Sequence, residues 1–176
     1  KRGEIVALLG LGGFHLLCDA TNEQSVLALR REKRREAKPF AVMFQNMAEI
    51  EKVCHVSKNE RALLLAKERP IVLLERKKST NITNAVAPNI DKLGVFLPYT
   101  PLHELLLSRL EFPLVATSAN ASDSPIITET KELFKTFTSL KKNTLSHNRK
   151  IHNSCDDSVV MLAADEQIIL RLGRGF

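Results

Sequence analysis

The chain predicts an α/β fold, a mixed sheet in one domain with helices packed against it. Strand-like apolar runs alternate with helix-like segments for most of the 176 residues, and two strand-like runs close the chain. With 44% hydrophobic residues the sequence has apolar content for a substantial core, and its length suits one domain.

Residues 4–9 form a continuous apolar strand, broken by the glycines of 10–13, and residues 14–20 resume an extended pattern. Thr21-Asn22-Glu23-Gln24 fits a capping box, with Thr21 as cap and Gln24 reaching back. It opens a helix to about Arg35, with Val26 and Leu29 facing inward. Pro39 stops that helix, because the residue before a proline avoids the helical region. A short strand over 40–44 and a short helix over 47–53 follow. Ser57-Lys58-Asn59-Glu60 is a second capping box, opening a helix over 58–66 whose apolar side is Leu63, Leu64 and Leu65. Pro70 leads a strand over 71–74. Residues 77–92 are polar, contain Pro88 and read as a long loop before a strand over 94–97. Thr100 and Pro101 are the cap and first position of the next helix, whose buried stripe is Leu102, Leu105, Leu106 and Leu110. A strand over 114–117 runs into small polar residues at 118–125. A helix over 131–137 precedes a closing hairpin of 158–162 and 167–172, turning at 163–166. With no repeat, low-complexity tract or linker, residues 1–176 read as one domain.

Composition removes several classes. The chain is 26% charged, which fits a globular rather than a disordered protein. No apolar run reaches membrane-spanning length. The opening Lys-Arg-Gly-Glu runs straight into a strand, unlike a signal peptide, and lacks Met, so a fragment of a longer protein is expected. Cys18, Cys54 and Cys155 are scattered, with no CxxC and no zinc-ligand spacing. Reduced thiols, a cytoplasmic location and no structural metal are expected. The net charge of +6 is concentrated at 30–38, which holds six bases and two acids. Such a run attracts polyanions. It equally suits a solvated helix end, where the macrodipole favours cations.

Four segments place polar groups where strands end, the position at which open α/β sheets bind ligands. In Gly10-Leu11-Gly12-Gly13-Phe14-His15, the glycines admit close backbone approach, although an ordinary turn and a packing histidine read the same way. Lys33, Arg35 and Lys38 can address one polyphosphate if the helix is ending, the arginine bidentate and the lysine as a point charge. Thr117-Ser118-Ala119-Asn120 offers hydroxyls and an amide, as an ordinary turn also would. The fourth set is His147-Asn148-Arg149, Asp156-Asp157-Ser158, Arg171 and Arg174, which reads either as a phosphate site or as surface ion pairs. Adjacent Asp156 and Asp157 would face opposite ways on a strand and make a poor acid–base dyad. GxSxG, Walker A and HExxH patterns are absent.

Taken in order, these segments resemble one family. Gly-Leu-Gly-Gly-Phe-His-Leu-Leu-Cys-Asp-Ala at 10–20, Lys-x-Arg-x-x-Lys-Pro-Phe-Ala-Val-Met at 33–43 and Arg-Pro-Ile-Val-Leu-Leu at 69–74 are similar to motifs of the YrdC-like domain of HypF-type hydrogenase-maturation carbamoyltransferases. So are Leu-Gly-Val-Phe-Leu-Pro-Tyr-Thr-Pro-Leu-His at 93–103, Thr-Ser-Ala-Asn at 117–120 and Asp-Asp-Ser-Val-Val at 156–160. The first and the 93–103 motifs separate this branch from the threonylcarbamoyl-adenylate synthases. Leu9, Glu36, Asn89 and Met161 depart from the pattern, where Lys, Pro, Gly and Arg respectively are usual; Leu9 and Met161 remove expected pocket cations.

The resemblance implies a twisted open sheet with a concave, positive face that holds ATP with Mg2+. It implies formation of carbamoyl-adenylate from carbamate, itself derived from carbamoyl phosphate. The larger family protein also has acylphosphatase-like, zinc-finger and transferase domains, and a HypE-type partner whose cysteine accepts the carbamoyl group on the route to the cyanide ligand of nickel–iron hydrogenase. By the same resemblance Lys33 and Arg35 would take the triphosphate, helped by Lys38. Ser118 and Asn120, with Thr117, would hold phosphate and the carbamoyl end. Ser158, Arg171 and Arg149 would lie around the nucleotide. Two other readings are a threonylcarbamoyl-adenylate synthase in tRNA modification and a non-enzymatic RNA-binding module. The second is weakened by 5% aromatic residues and no Trp, which leave few stacking platforms.

Overall fold

Along the inner strands successive apolar side chains point to opposite sides, and this gives the sheet two different faces. The computed structural model describes residues 3–120, 124–164 and 166–176. Among them, β1 (Val6–Leu9), β2 (Phe14–Asp19), β3 (Ala41–Met43), β4 (Ile71–Glu75), β5 (Lys92–Phe96), β6 (Leu114–Ser118), β7 (Thr144–Leu145), β8 (Val159–Ala163) and β9 (Glu166–Arg171) form one mixed sheet. Their spatial order is β7-β1-β2-β6-β3-β5-β4-β8-β9. Phe14, Leu16, Val42, Val72, Leu74, Val95, Val115 and Val160 point to one face and build the main core. Helices α1 (Glu23–Lys33), α2 (Met47–Val53), α3 (Lys58–Leu65) and α5 (Thr130–Thr136) cover it through Val26, Leu29, Ile50, Leu64 and Leu133. The intervening residues Leu17, Met43, Phe96, Leu114 and Ala116 point the other way into a smaller cluster. There α4 (Pro101–Leu107) caps only part of the sheet, through Leu107, and the remainder stays open.

Several local expectations change. Asn22, not Thr21, caps α1, accepting from the Ser25 amide, because the Asp19 carboxylate takes both the amide and the hydroxyl of Thr21. The helix ends at Lys33, before Pro39 could act, because Arg34 turns left-handed at φ 48°. The Ser57–Glu60 capping box forms as expected; on α3 Leu64 is buried, but Leu65 is exposed. Thr100 and Pro101 start α4 as expected, yet Leu102 and Leu105 are 36% and 60% exposed. The buried face is His103 and Leu107, because His103 turns inward edge-on to Tyr99. The 77–92 loop carries a 3-10 turn at Asn84–Val86, plugs the core with Ile82 and Val86, and gives way to β5 at Lys92. The two-residue β7 went unforeseen; it adds in parallel to β1. The closing hairpin β8–β9 is present with a bulge at Val159/Val160. Its expected turn includes residue 165 and the loop expected at 118–125 includes 121–123, all outside the described residues.

Candidate active site

Where α4 leaves the sheet open, small side chains make the floor of a cleft of about 880 Å³. Gly94, Ala41 and Ala116 are cross-strand partners on β5, β3 and β6, continued by Leu73 on one side and Leu17 on the other. A side chain on any of the three would rise into the cleft, since successive residues alternate faces. The groups that ring this floor decide its chemistry.

The cationic wall comes from the end of α1. Val26, Leu29, Arg30 and Lys33 follow helical i, i+3, i+4, i+7 spacing, so the inward apolar stripe runs on into two bases. Arg30 is 7% exposed, and its guanidinium donates to the carbonyls of Ala85, Val86, Arg35, Glu36 and Lys38. It thereby pins residues 35–38 and the 84–86 turn together. The left-handed Arg34 then lets Lys33 and Arg35 reach the same cleft, as a continuing helix would not. The Lys33 ammonium donates to the Ser118 carbonyl at 2.6 Å, the Asn120 carbonyl at 3.0 Å and Asn120 Oδ1 at 3.1 Å. Arg35 donates to the Thr117 hydroxyl and the Pro39 carbonyl, while its Nε is buried without a partner. Arg30 and Arg35 both lie over the Phe40 ring, at 4.7 and 4.8 Å from its centroid. Burial, then repulsion from Arg35, brings the Lys33 ammonium down to about 8 against an opposing pull from Asp156. Burial, Arg30 and Arg171 bring Arg35 down to about 10. Both cations are thus held where a polyanion would relieve their crowding.

The opposite wall depends on the glycine turn between β1 and β2. A Cβ on Gly12 would meet the Cys155 carbonyl at 2.1 Å, so glycine lets the 155–157 backbone dock, and the Cys155 amide donates to the Gly12 carbonyl. Docking brings Asp157 to His15, with Oδ2 at 3.5 Å from Nε2, and its Oδ1 accepts from Arg174 Nε at 3.3 Å. The Arg174 guanidinium covers the Tyr99 ring at 3.6 Å. Burial works to raise the Asp157 carboxyl, but His15 and Arg174 outweigh it and hold the group below its ordinary range. His103, edge-on to Tyr99, is driven down to about 4 by burial and by His15, so it is neutral; its Nδ1 has no partner. Burial also pushes the Cys18 and Cys54 thiols up to about 12, which makes them unreactive near neutral pH.

Lys33, Arg35, Lys38, Thr117, Ser118, Asn120 and Arg171 all line the cleft. The Ser118 hydroxyl donates to Asn120 Oδ1, and Arg171 Nε donates to the Asp157 carbonyl. Ser158 and Arg149 do not join them. The Ser158 hydroxyl is fully buried, donating to the Arg174 carbonyl and accepting from the Gly173 amide. Arg149 is exposed in the segment before β8, outside the cleft. Leu9 is 5% exposed in the main core, and Met161 is not among the residues that line the cleft. Asn89 sits at φ 59°, a left-handed position that glycine or asparagine fills. The Asp157–Arg174 pair is half-buried, with Asp157 the more enclosed partner, rather than a fully exposed surface ion pair. The clamp Arg30 and the His15–Asp157 pairing were missed. An arginine at an inward helical position signalled the first; the second joins residues far apart in sequence. Among the described residues no three His, Cys, Asp or Glu side chains gather as metal ligands.

A family model described as telomere recombination, for Sua5, YciO and YrdC proteins, matches residues 1–173. The carbamoyltransferase HypF of Synechocystis sp. is 41% identical over 176 residues, which is 100% of this chain and 23% of that protein. The crystal structure of full-length HypF in a phosphate- and nucleotide-bound form superposes with a TM-score of 0.95 at 43% identity, covering 99% of this chain and 23% of that one. The threonylcarbamoyl-AMP synthase of Homo sapiens is 29% identical over 123 residues, 69% of this chain and 44% of that protein. The chain thus spans less than a quarter of the length of these HypF relatives.

Proposed function

The chain belongs to the Sua5/YciO/YrdC family, and from that premise we propose that it is the adenylate-forming domain of a larger HypF-type carbamoyltransferase. In this reading it joins carbamate to the AMP part of ATP. The observation that carries it is the meeting of Lys33, Arg35, Ser118 and Asn120 around a floor of small residues. A structure of similar sequence and fold, HypF, is nucleotide-bound, which supports nucleotide as the ligand.

The substrate is ATP, whose phosphates Lys33, Arg35, Lys38 and Arg171 would hold, and Mg2+ brought with it would offset part of the phosphate charge. A carbamate oxygen attacks the α-phosphorus in line; the new P–O bond forms as the bond to the β-phosphate oxygen breaks, and pyrophosphate leaves with that electron pair. Carbamate is already anionic, so no general base is needed. The protein contributes position and charge. Lys33 exchanges neutral carbonyl acceptors for phosphate oxygens, and Arg35, aided by Lys38 and Arg171, neutralises the departing pyrophosphate. Ser118, Asn120 and Thr117 hold phosphate and the acyl end. The carbamoyl group would then pass through the transferase domain to a cysteine of a HypE-type partner.

The test is pyrophosphate release from MgATP, with carbamoyl phosphate plus an acylphosphatase as the acyl source in one arm and L-threonine plus bicarbonate in the other. Release with the carbamoyl source alone, lost in Lys33→Ala, supports the reading. Release with threonine alone replaces it with threonylcarbamoyl-adenylate synthesis.

A further inference from the structure

The adenylation reading uses the cationic wall and leaves the opposite wall without work. Of the acids facing the cleft, Glu36 is exposed and Asp156 half-buried, while Asp157 is 9% exposed. A buried carboxylate repels phosphate, so in a polyphosphate cleft it calls for a ligand group that donates hydrogen bonds. Its known donors are Arg174 on Oδ1 and His15 beside Oδ2, and Tyr99 also bonds to it. A carboxylate with about four acceptor positions has capacity left on its cleft side.

Position narrows the ligand group further. His15 and Ser118 are cross-strand partners on β2 and β6, so their side chains rise side by side from one face of the sheet. The Ser118 hydroxyl and Asn120 amide lie within the reach of Lys33. The end of the substrate that projects beyond the reacting carboxylate therefore meets His15 and Asp157. His15 is 6% exposed and held against Asp157, so it stands as a fixed wall rather than a movable one.

We propose that His15 and Asp157 form the subsite for the amino end of the acyl group, Asp157 accepting its N–H and His15 closing off the space that a nitrogen substituent would need. The subsite selects unsubstituted carbamate over N-substituted carbamates. This rests on the adenylation reading above.

The experiment is exchange of labelled pyrophosphate into ATP by this chain with three acyl sources formed in solution: carbamate from ammonia and bicarbonate, N-methylcarbamate from methylamine, and N,N-dimethylcarbamate, which has no N–H. The wild type should exchange best with carbamate and at least about a hundredfold worse with the dimethyl compound, because a donor-reading site rejects a ligand lacking its donor. Asp157→Asn should raise the KM for carbamate about tenfold or more while the KM for ATP stays within about twofold. His15→Ala should bring N-methylcarbamate within about threefold of carbamate. The unchanged ATP constant shows that each variant is folded, and His15→Gln, which keeps the bulk, should retain the wild-type preference. Wild-type preference persisting in both Asp157→Asn and His15→Ala overturns the subsite and leaves adenylation standing. A wild type that binds ATP and exchanges with none of the three sources overturns the adenylation reading and this inference together.

Discussion

Lys33 carries the clearest single-residue consequence. Its ammonium is brought from the ordinary 10.5 to about 8 by burial and neighbouring cations, so the free protein loses this charge as the pH passes 8. Phosphate binds the charged form, and binding takes up a proton. ATP affinity is expected to fall from pH 7.5 to 9 in the wild type and to stay flat in Lys33→Met, as titration calorimetry would show. The linked stability has the opposite sign. Between pH 8 and 10.5 the unfolded chain binds the proton that the folded one has lost, so this group adds stability as the pH rises through that window. Replacing Lys33 with Ala should slow turnover on the order of a hundredfold, about 3 kcal/mol of transition-state charge stabilisation. Ser158→Ala is the counterpart. Losing a hydroxyl that serves the buried Gly173 amide should cost about 1–3 kcal/mol of stability and leave the ATP constant unchanged, as denaturant titration and kinetics would separate. The types Lys33, Ser118 and Asn120 and their order in the chain were legible in the sequence. The place of Ser158 was not legible, because a hydroxyl beside an Asp pair looks the same in sequence whether it faces a ligand or its own hairpin.

Helix α1 and strand β5 show what an element does for the cleft. Arg30 serves five carbonyls, of which that of Val86 also accepts from the Phe40 amide. Arg30→Met should therefore destabilise the fold by more than about 2 kcal/mol, visible as a Tm lowered by at least about 4 °C. Gly94 acts differently. Its added Cβ would approach Ile71 Cγ2 at 3.1 Å and Leu73 Cδ2 at 3.4 Å, with the Ala41 Cα at an ordinary 3.8 Å, and a longer chain would lie across the floor. Gly94→Leu is expected to keep the fold and weaken ATP binding at least about tenfold, measured by calorimetry beside a thermal melt. The element boundaries near caps were readable at Ser57 and Thr100, where cap, proline and apolar phase agree. They slipped at Thr21, since a nearby carboxylate competes for the same hydroxyl, and along α4, where five leucines at 102–110 leave the phase undetermined and only the aromatic contact of His103 fixes it.

At the scale of the whole molecule, the +6 charge favours polyanions generally, so salt separates the readings. A pocket for one nucleotide should lose affinity modestly between 50 and 200 mM salt, whereas an RNA surface making 6–10 phosphate contacts would lose about 10³-fold or more. The mixed sheet followed from the alternation of segments, but its strand order did not, because pairing partners are distant in sequence. β2 meets β6 through His15 and Ser118, and β4 meets β8 through Ile71 and Val159. That order has a consequence in time. Loops of such length must close before their contacts stabilise anything, so folding is expected to be slower than that of a helical bundle of this size. The cleft, built from β2, β3, β5 and β6 and walled by residues 156–157, is expected to form late, since it needs all these distant segments at once. A nucleotide finds nothing to hold until the sheet is complete. Added ATP should therefore leave the refolding rate untouched and slow unfolding alone, making the ligand a brake on leaving the native state rather than a guide toward it.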